Sequence, residues 1–378
     1  MSRKSHFFVT DLHGIARLAA DAATAWMPSP FAKLAQDVVY AAVSCGHSLA
    51  ELVIPGIGVP YGPYHSSYER ESAIAALNGI LGDHLAESGN PLAIPMSVRR
   101  DGKSIATGKS DVSAAIPRAT GSILLMIHGL CRNDLQWRRR GHDHGAALEA
   151  RFGHTAVYAH YNSGRHISTN GKELDALIER LVHAWPVPVE RILLVGHSMG
   201  GLVARSACHY ARASGSRWTG MLDKMVFLGS PHHGAPLERI GHWLHATLDR
   251  YPYTAPVAKL GRMRSAGITD LRFGNLVDED WEGLDRFVHG EDSRRKIPLP
   301  RSVKCYAVAA TTGRNAEDVR ARLLGDGLVT VDSALGRHED PSRNLSISPQ
   351  RQWVAYETGH LDLLSRPAVY EKLVEWLE

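Results

Sequence analysis

One stretch decides the fold of this 378-residue chain: Arg191-Ile-Leu-Leu-Val-Gly-His-Ser-Met-Gly-Gly-Leu-Val-Ala-Arg205. The short apolar run Ile192–Val195 is typical of a parallel strand that is buried on both faces. Apolar residues then recur at helical intervals after Ser198, which predicts a helix. Gly196 and Gly200 flank Ser198 at the G-x-S-x-G spacing, so the stretch predicts a strand, a sharp turn and a helix, with the serine at the tip.

This turn has the chemistry of a nucleophile. A strand that reverses into a helix within a few residues strains the serine backbone, and only residues without bulky side chains fit beside it. The following helix directs its amino-terminal N–H groups and dipole to the same place, where negative charge is stabilised. We therefore predict that Ser198 is a nucleophile; the alternative is a chance G-x-S-x-G in an ordinary loop.

A serine nucleophile needs a base and an acid, which follow it in this architecture in the order acid, then histidine. Asp326 lies between two glycines after the apolar run Val303–Ala310, where a tight turn presents a short carboxylate. His360 follows the last predicted strand, Gln352–Tyr356, in a Thr-Gly turn. The predicted roles are proton acceptor for His360 and orienting carboxylate for Asp326.

Both assignments have competitors. The chain contains 21 histidines, and His360 is preferred because it alone follows the final strand. Asp318 and Asp332 compete with Asp326, although Asp332 lies where a helix begins and its ordinary role there is a cap.

Two backbone N–H groups are expected to form an oxyanion hole. One belongs to Met199, directly after the nucleophile, and the other to Leu130, after the predicted strand Ile123–Ile127. Gly129 lets the backbone approach the substrate, and His128 is expected to be structural rather than a second base.

Four motifs in this order resemble the α/β-hydrolase superfamily, and most of all its bacterial lipase and esterase branch and lipase-like deacylases. They are His128-Gly-Leu, Gly196-His-Ser-Met-Gly-Gly201, Gly229-Ser-Pro-His-His-Gly234 and Gly325-Asp-Gly-Leu-Val329. The resemblance runs from about residue 92 to the C-terminus. It implies the same nucleophile, acid, base and oxyanion donors at the positions named above.

The order of predicted elements gives the same architecture. The strands expected are Ile94–Arg99, Ser104–Thr107, Ile123–Ile127, Thr155–His160, Ile192–Val195, Met225–Leu228, Val303–Ala309 and Gln352–Tyr356. Asp101-Gly102 predicts a hairpin between the first two. Helical stretches at Gly145–Arg151, Lys172–Trp185, Met199–Ala213 and Pro367–Leu377 alternate with later strands. We therefore expect an α/β-hydrolase fold: a mostly parallel eight-stranded sheet with helices on both faces.

Two regions lie outside this alternation. Residues 1–90 are predicted to form an N-terminal helical extension, either packed or in contact with a second copy in a homo-oligomer, with a lid or membrane-facing element as the rival. Residues 91–378 are predicted to form the hydrolase domain, with a cap inserted at about 235–300. Trp243 and Trp281 of this insertion are candidates to enclose an acyl chain.

Composition limits partners and location. Lys and Arg (43) nearly balance Asp and Glu (39), and the formal charge of +4 gives no reason to expect nucleic acid as a partner. The run Arg138–Arg140 is expected to be solvated. The four cysteines form no C-x-x-C pair, which favours reduced, packing cysteines, and no signal peptide or transmembrane helix is evident. We therefore expect a cytoplasmic protein.

No cofactor or metal is expected. His142-Asp-His144 and His232-His233 lack the helical H-E-x-x-H context, and Asp362 alone does not make a calcium site. The sequence predicts a serine carboxylic-ester hydrolase (esterase/lipase-like) that cleaves small-molecule or lipid esters of short to medium acyl length. The alternatives are acyl transfer or lipid deacylation by the same triad and, from another class, a non-catalytic interaction protein on a hydrolase scaffold.

Overall fold

A computed structural model describes residues 68–236, 239–241, 264–284, 292–318 and 324–378. Most of the predicted N-terminal extension and much of the predicted cap, including Trp243, lie outside these ranges.

The described residues form one eight-stranded sheet in the order β2-β1-β4-β3-β5-β6-β7-β8. The strands are β1 Ser97–Arg100, β2 Lys103–Ile105, β3 Ser122–Ile127, β4 Thr155–His160, β5 Arg191–His197, β6 Leu222–Leu228, β7 Lys304–Ala310 and β8 Gln352–Ala355. β1 runs antiparallel to both β2 and β4, and all other neighbours are parallel. The predicted mostly parallel sheet of the α/β-hydrolase fold is confirmed.

Helices cover both faces of this sheet. They are α1 Tyr68–Glu87, α2 Lys109–Ala115, α3 His144–Phe152, α4 Ile167–Ala184, α5 Met199–Ser214, α6 Ala266–Asp270, α7 Val331–Ala334 and α8 Pro367–Leu377. Alternate residues of the central strands belong to two apolar clusters, as a strand buried on both faces requires. One cluster is filled mainly by α1, α4 and α5, and the other by α3 and α8.

Local sequence signals explain several boundaries. Asp101 (φ 52°) and Gly102 (φ 74°) form the predicted hairpin turn. The Asp143 side chain accepts the Ala146 N–H at the start of α3, and Gly153 ends that helix at φ 72°. β1 begins at Ser97 rather than Ile94, because Pro95 has no N–H to donate to a ladder.

The start of α4 is a boundary that the sequence misplaced. The helix begins at Ile167, five residues before the predicted Lys172. The residue before the helix, His166, supplies no side-chain cap. Instead Asp270, which is distant in sequence, accepts the Ile167 N–H at 2.8 Å. A tertiary contact therefore satisfies a helix end that no neighbouring residue satisfies.

The described part of the N-terminal extension is integral to the core. α1 is buried along most of its length and belongs to the same apolar cluster as α4 and α5. The helix lies close to Cys131 because Gly79 has no side chain: a Cβ at Gly79 would lie 2.2 Å from the Cys131 sulfur. Cys131, Cys208 and Cys305 are all buried and unpaired, as packing cysteines are. In the ranges that the structure covers, no helix is long and apolar enough to cross a membrane.

Candidate active site

Ser198 occupies the strained turn between β5 and α5. Its backbone has φ 54° and ψ −125°, a region that residues with side chains rarely adopt. The turn closes only around glycine, because a Cβ at Gly196 would lie 2.5 Å from the Gly201 nitrogen, and one at Gly200 would lie 2.2 Å from the Ile127 oxygen. The sequence places Ser198 at this tip for steric reasons.

Asp326 and His360 meet although 34 residues separate them. The His360 Nδ1 lies 2.7 Å from the Asp326 Oδ2, and both side chains are buried. The other carboxylate oxygen, Oδ1, accepts the N–H groups of Leu328 (3.0 Å) and Val329 (2.8 Å). A carboxylate only accepts, so His360 carries its proton on Nδ1 and leaves Nε2 basic, as a proton acceptor must be.

The end of β6 brings the serine and this pair together. The Ser198 N–H donates to the Leu228 carbonyl at 2.9 Å. The next residue, Gly229 (φ 61°), lies against the pair, since a Cβ there would be 3.3 Å from the Asp326 Oδ2 and 3.4 Å from the His360 Cε1. The Leu228–Gly229 segment therefore contacts both Ser198 and the Asp326–His360 pair.

The loop after β3 supplies the second side of the site. A Cβ at Gly129 would lie 2.9 Å from the Ser198 Cβ, so only glycine allows the loop to pass this close. Leu130 follows in a buried position, and no described atom accepts a hydrogen bond from its N–H or from that of Met199. Two backbone donors beside a serine are what an oxyanion hole requires.

His128 is held as part of that loop. Its Nδ1 donates to the Gly129 carbonyl at 2.9 Å, and the Tyr161 hydroxyl donates to the His128 carbonyl at 2.6 Å. Burial lowers the pKa of His128 to about 3, so the ring is neutral at physiological pH. These contacts favour the structural role that the sequence predicts.

Residues 118–305 match the family model described as PGAP1-like alpha/beta domain, which is an α/β-hydrolase family. The strand order and the serine turn described above are those of the same fold. The chain therefore has the α/β-hydrolase fold. No curated protein sequence matches it.

Several solved structures are similar to this chain. They include the mature form of the Bacillus licheniformis lipase BlEst2 (16% identity, 67% of this chain and 91% of that chain, TM-score 0.43). A Pyrococcus furiosus esterase has 14% identity over 69% of this chain and 82% of its own, with a TM-score of 0.40. A lipase-esterase related protein from Clostridium acetobutylicum has 15% identity over 68% of this chain and 95% of its own, with a TM-score of 0.36. Similarities of this size do not assign an activity to the chain.

His197 is a further residue of the candidate site, and the sequence did not point to it. Its Nε2 lies 3.1 Å from the His360 carbonyl oxygen, and the two rings are 4.8 Å apart between centroids. Burial and the neighbouring His360 ring hold the pKa of His197 well below its usual range, so the neutral ring donates from Nε2. Its position directly before the serine was the only available signal.

The other candidate residues lie elsewhere. The exposed Asp332 lies 3.9 Å from Arg337 in an ion pair, and Thr330 rather than Asp332 caps α7. Trp281 is half-buried; its ring stacks on His166 at 3.7 Å between centroids, and its N–H donates to Ser168 at 3.0 Å. The described contacts of Trp281 are thus with the start of α4 rather than with the triad candidates.

Asp362 lies beside two arginines. Arg139 and Arg140 approach its Oδ1 at 3.7 and 3.3 Å. Arg138 and Arg140 are exposed, as the sequence predicts for this run, and Arg139 is half-buried. His142 donates to His144 at 2.8 Å, and His144 in turn donates to the Leu363 carbonyl at 2.9 Å, so these histidines support the loop that follows His360. In the described part of the chain, no three metal-ligating side chains form a group.

Proposed function

We propose that this protein is a serine hydrolase of carboxylic esters. The observation that carries the proposal is the buried Asp326–His360 pair beside a serine with a left-handed backbone at a strand-to-helix turn. The surroundings of the three residues support these roles: a strained strand-to-helix turn at the serine, an imidazole that donates from Nδ1, and a carboxylate that accepts from it.

The proposed reaction has two steps. The Ser198 oxygen attacks the ester carbonyl while His360 Nε2 takes the hydroxyl proton, and the N–H groups of Leu130 and Met199 stabilise the oxyanion. Collapse breaks the ester bond, and His360 gives its proton to the leaving alcohol. Water then attacks the acyl-enzyme, again with His360 as base, and releases the carboxylic acid and free Ser198.

Short to medium acyl chains are the proposed substrates. Large apolar side chains that are exposed in the described ranges, such as Val187, Leu284 and Leu324, come from separate segments. Single exposed apolar residues are ordinary on a protein surface, and this supports a substrate in solution rather than at a lipid interface.

A fluorophosphonate probe tests the nucleophile. We expect stoichiometric labelling of the full chain at Ser198, seen by intact mass and peptide mapping. Ser198→Ala should not be labelled, whereas Ser113→Ala, which removes a hydroxyl that only binds the Lys109 carbonyl, should be labelled normally. Absence of labelling in the folded wild-type protein would favour a non-catalytic scaffold.

Product analysis separates hydrolysis from acyl transfer, since both pass through the same acyl-enzyme. A p-nitrophenyl ester is incubated with the protein in water containing a small amount of methanol. Hydrolysis predicts the carboxylic acid as the main product. A fraction of methyl ester in the product far above the fraction of methanol in the solvent would instead show that the enzyme is an acyltransferase.

A further inference from the structure

A cavity of about 500 Å³ lies between α5, the loop after β6 and residues 292–303, which lead into β7. Its volume is within the range of small-molecule sites. Every charged side chain that lines it in the described ranges is an arginine or a lysine, and no aspartate or glutamate among those residues takes part. The cavity contains none of the triad candidates.

Arg205 is the buried cation of this cavity. It donates to the Ile297 carbonyl at 2.8 Å and to His232 Nδ1 at 3.2 Å, and both acceptors are neutral. The Asp292 carboxylate pairs with Arg294 and Arg343 rather than with Arg205, and no described atom accepts from the Arg205 Nε–H. Burial and the positive charge of Arg294 lower the pKa of Arg205 to about 9. The charged side chain therefore reduces the stability of the folded state.

His232 adds a second donor beside Arg205. Its Nδ1 accepts from the Arg205 guanidinium, so the neutral ring carries its proton on Nε2. Burial holds the pKa of His232 well below its usual range, which keeps the ring neutral. The Nε2–H is buried, and no described atom accepts from it. A buried donor without an acceptor is destabilising, so both donors favour a ligand that accepts hydrogen bonds.

Two further arginines share a single carboxylate. Arg294 Nε lies 3.2 Å from Asp292 Oδ2, and Arg343 Nη1 lies 3.3 Å from the same oxygen. Arg294 also donates to the His232 carbonyl at 2.8 Å, which links it to the Arg205 group. Positive charge therefore exceeds negative charge on the described side of the cavity.

We propose that this cavity binds an organic oxyanion, a carboxylate or a phosphate ester, through Arg205 and Arg294. The guanidinium group matches the geometry of carboxylate and phosphate oxygens. The apolar wall formed by Leu276, Ile297 and Val303 suits a short alkyl or aryl group on the same ligand. Arg205 is two helical turns, or about 10 Å of helix, from Ser198, so the site is separate from the catalytic serine.

Titration calorimetry of the full chain tests this proposal, with inorganic phosphate, hexyl phosphate and hexanoate as probes and NaCl to hold ionic strength constant. We expect one site per chain, with hexyl phosphate bound more tightly than inorganic phosphate. Arg205→Gln should weaken binding at least about tenfold, since it removes charged hydrogen bonds. Arg118→Gln changes an exposed arginine and should bind as the wild type does. Comparison of hexyl phosphate with hexanoate decides which oxyanion is preferred.

Thermal unfolding provides the folding control. In a buffer without phosphate or carboxylates the Tm of Arg205→Gln should equal or exceed that of the wild type, and added phosphate should raise only the wild-type Tm. If Arg205→Gln does not fold, Arg343→Gln at the edge of the cavity takes its place, with an expected loss in affinity of at least about threefold. Undetectable binding of all three probes, or equal binding by the folded variant and the wild type, would overturn the proposal. Binding lost in Ser198→Ala but kept in Arg205→Gln would also overturn it.

Discussion

His197 Nε2 donates a hydrogen bond to the backbone carbonyl of His360 at 3.1 Å, so the residue before the candidate nucleophile holds the backbone of the candidate base. Trp137 packs edge-on against the His197 ring at 6.3 Å between centroids, which fixes the ring in turn. This hydrogen bond joins the turn after β5 to the loop after β8, and we expect it to position the imidazole relative to the serine.

We expect His197→Ala to lower kcat about tenfold or more with little change in KM, because the base loses its alignment rather than the substrate its binding site. His197→Gln, whose amide N–H can donate to the same carbonyl, should recover most of kcat. Steady-state kinetics of both variants checks this. If both variants have normal stability and lose kcat equally, the hydrogen bond does not position His360.

Ser198→Ala and His360→Ala should each lower kcat about 10⁴-fold or more, and the double variant should be little worse than either, because the pair acts as a unit. Asp326→Asn should have a smaller effect. The measurement is hydrolysis of a p-nitrophenyl ester, with circular dichroism to show that the fold is kept. Near wild-type turnover by His360→Ala would disprove the assignment of the base.

A buried charge network around Asp134 should make the free energy of unfolding depend on pH in the acidic range. Arg99 lies 2.8 Å from Asp134 and 3.0 Å from Glu71, and His160 lies 3.2 Å from Asp134. Burial alone would raise the pKa of Asp134, but its contacts with His160 and Arg99 prevail and lower it to about 2.

Because the folded-state pKa of Asp134 is depressed, its contribution is present above pH 4 and is lost as pH falls from about 4 to 2. Asp134→Asn should therefore lower the free energy of unfolding by about 2 kcal/mol at pH 6, and by much less near pH 2. Urea denaturation across this range measures the difference. Asp101→Asn, at an exposed hairpin turn, is the control; a pH-independent loss in Asp134→Asn would contradict the linkage.

Ester hydrolysis should survive EDTA. The proposed proton transfers need only Ser198, His360 and Asp326, and Asp362 is paired with Arg139 and Arg140. Activity is measured before and after dialysis against EDTA, then with added calcium. A loss that calcium restores would assign a structural metal to this loop.

Acyl preference should rise and then fall with chain length. Each buried methylene contributes about 0.8 kcal/mol until the pocket is full. If Trp281 lines that pocket, Trp281→Ala should move the optimum to longer chains, whereas Trp281→Phe, which keeps the stacking on His166, should move it less. kcat/KM for a p-nitrophenyl ester series measures the optimum. A rate that jumps only when substrate forms droplets would favour an interfacial lipase instead.

The sequence by itself determined the sheet and the serine turn. β3, β5, β6 and β7 are short apolar runs flanked by turn residues, and such patterns are local, so each strand was predicted to within a few residues. The same holds for Ser198, because its backbone conformation depends on the glycines within two residues of it. Asp326 and His360 could be proposed because the order of the fold's strands restricts which loops reach the serine.

Only the tertiary structure decided the contacts between residues that are distant in sequence. Asp270 begins α4 from 103 residues away, and His197 reaches the His360 carbonyl across 163 residues. The cationic cavity likewise depends on Arg205 meeting the 292–303 segment, a placement that no periodicity encodes. Hydrophobic periodicity reports which face of an element is buried but not which polar group lies opposite it, and hydrogen bonds of about 3 Å are set only when the packed elements fix both partners.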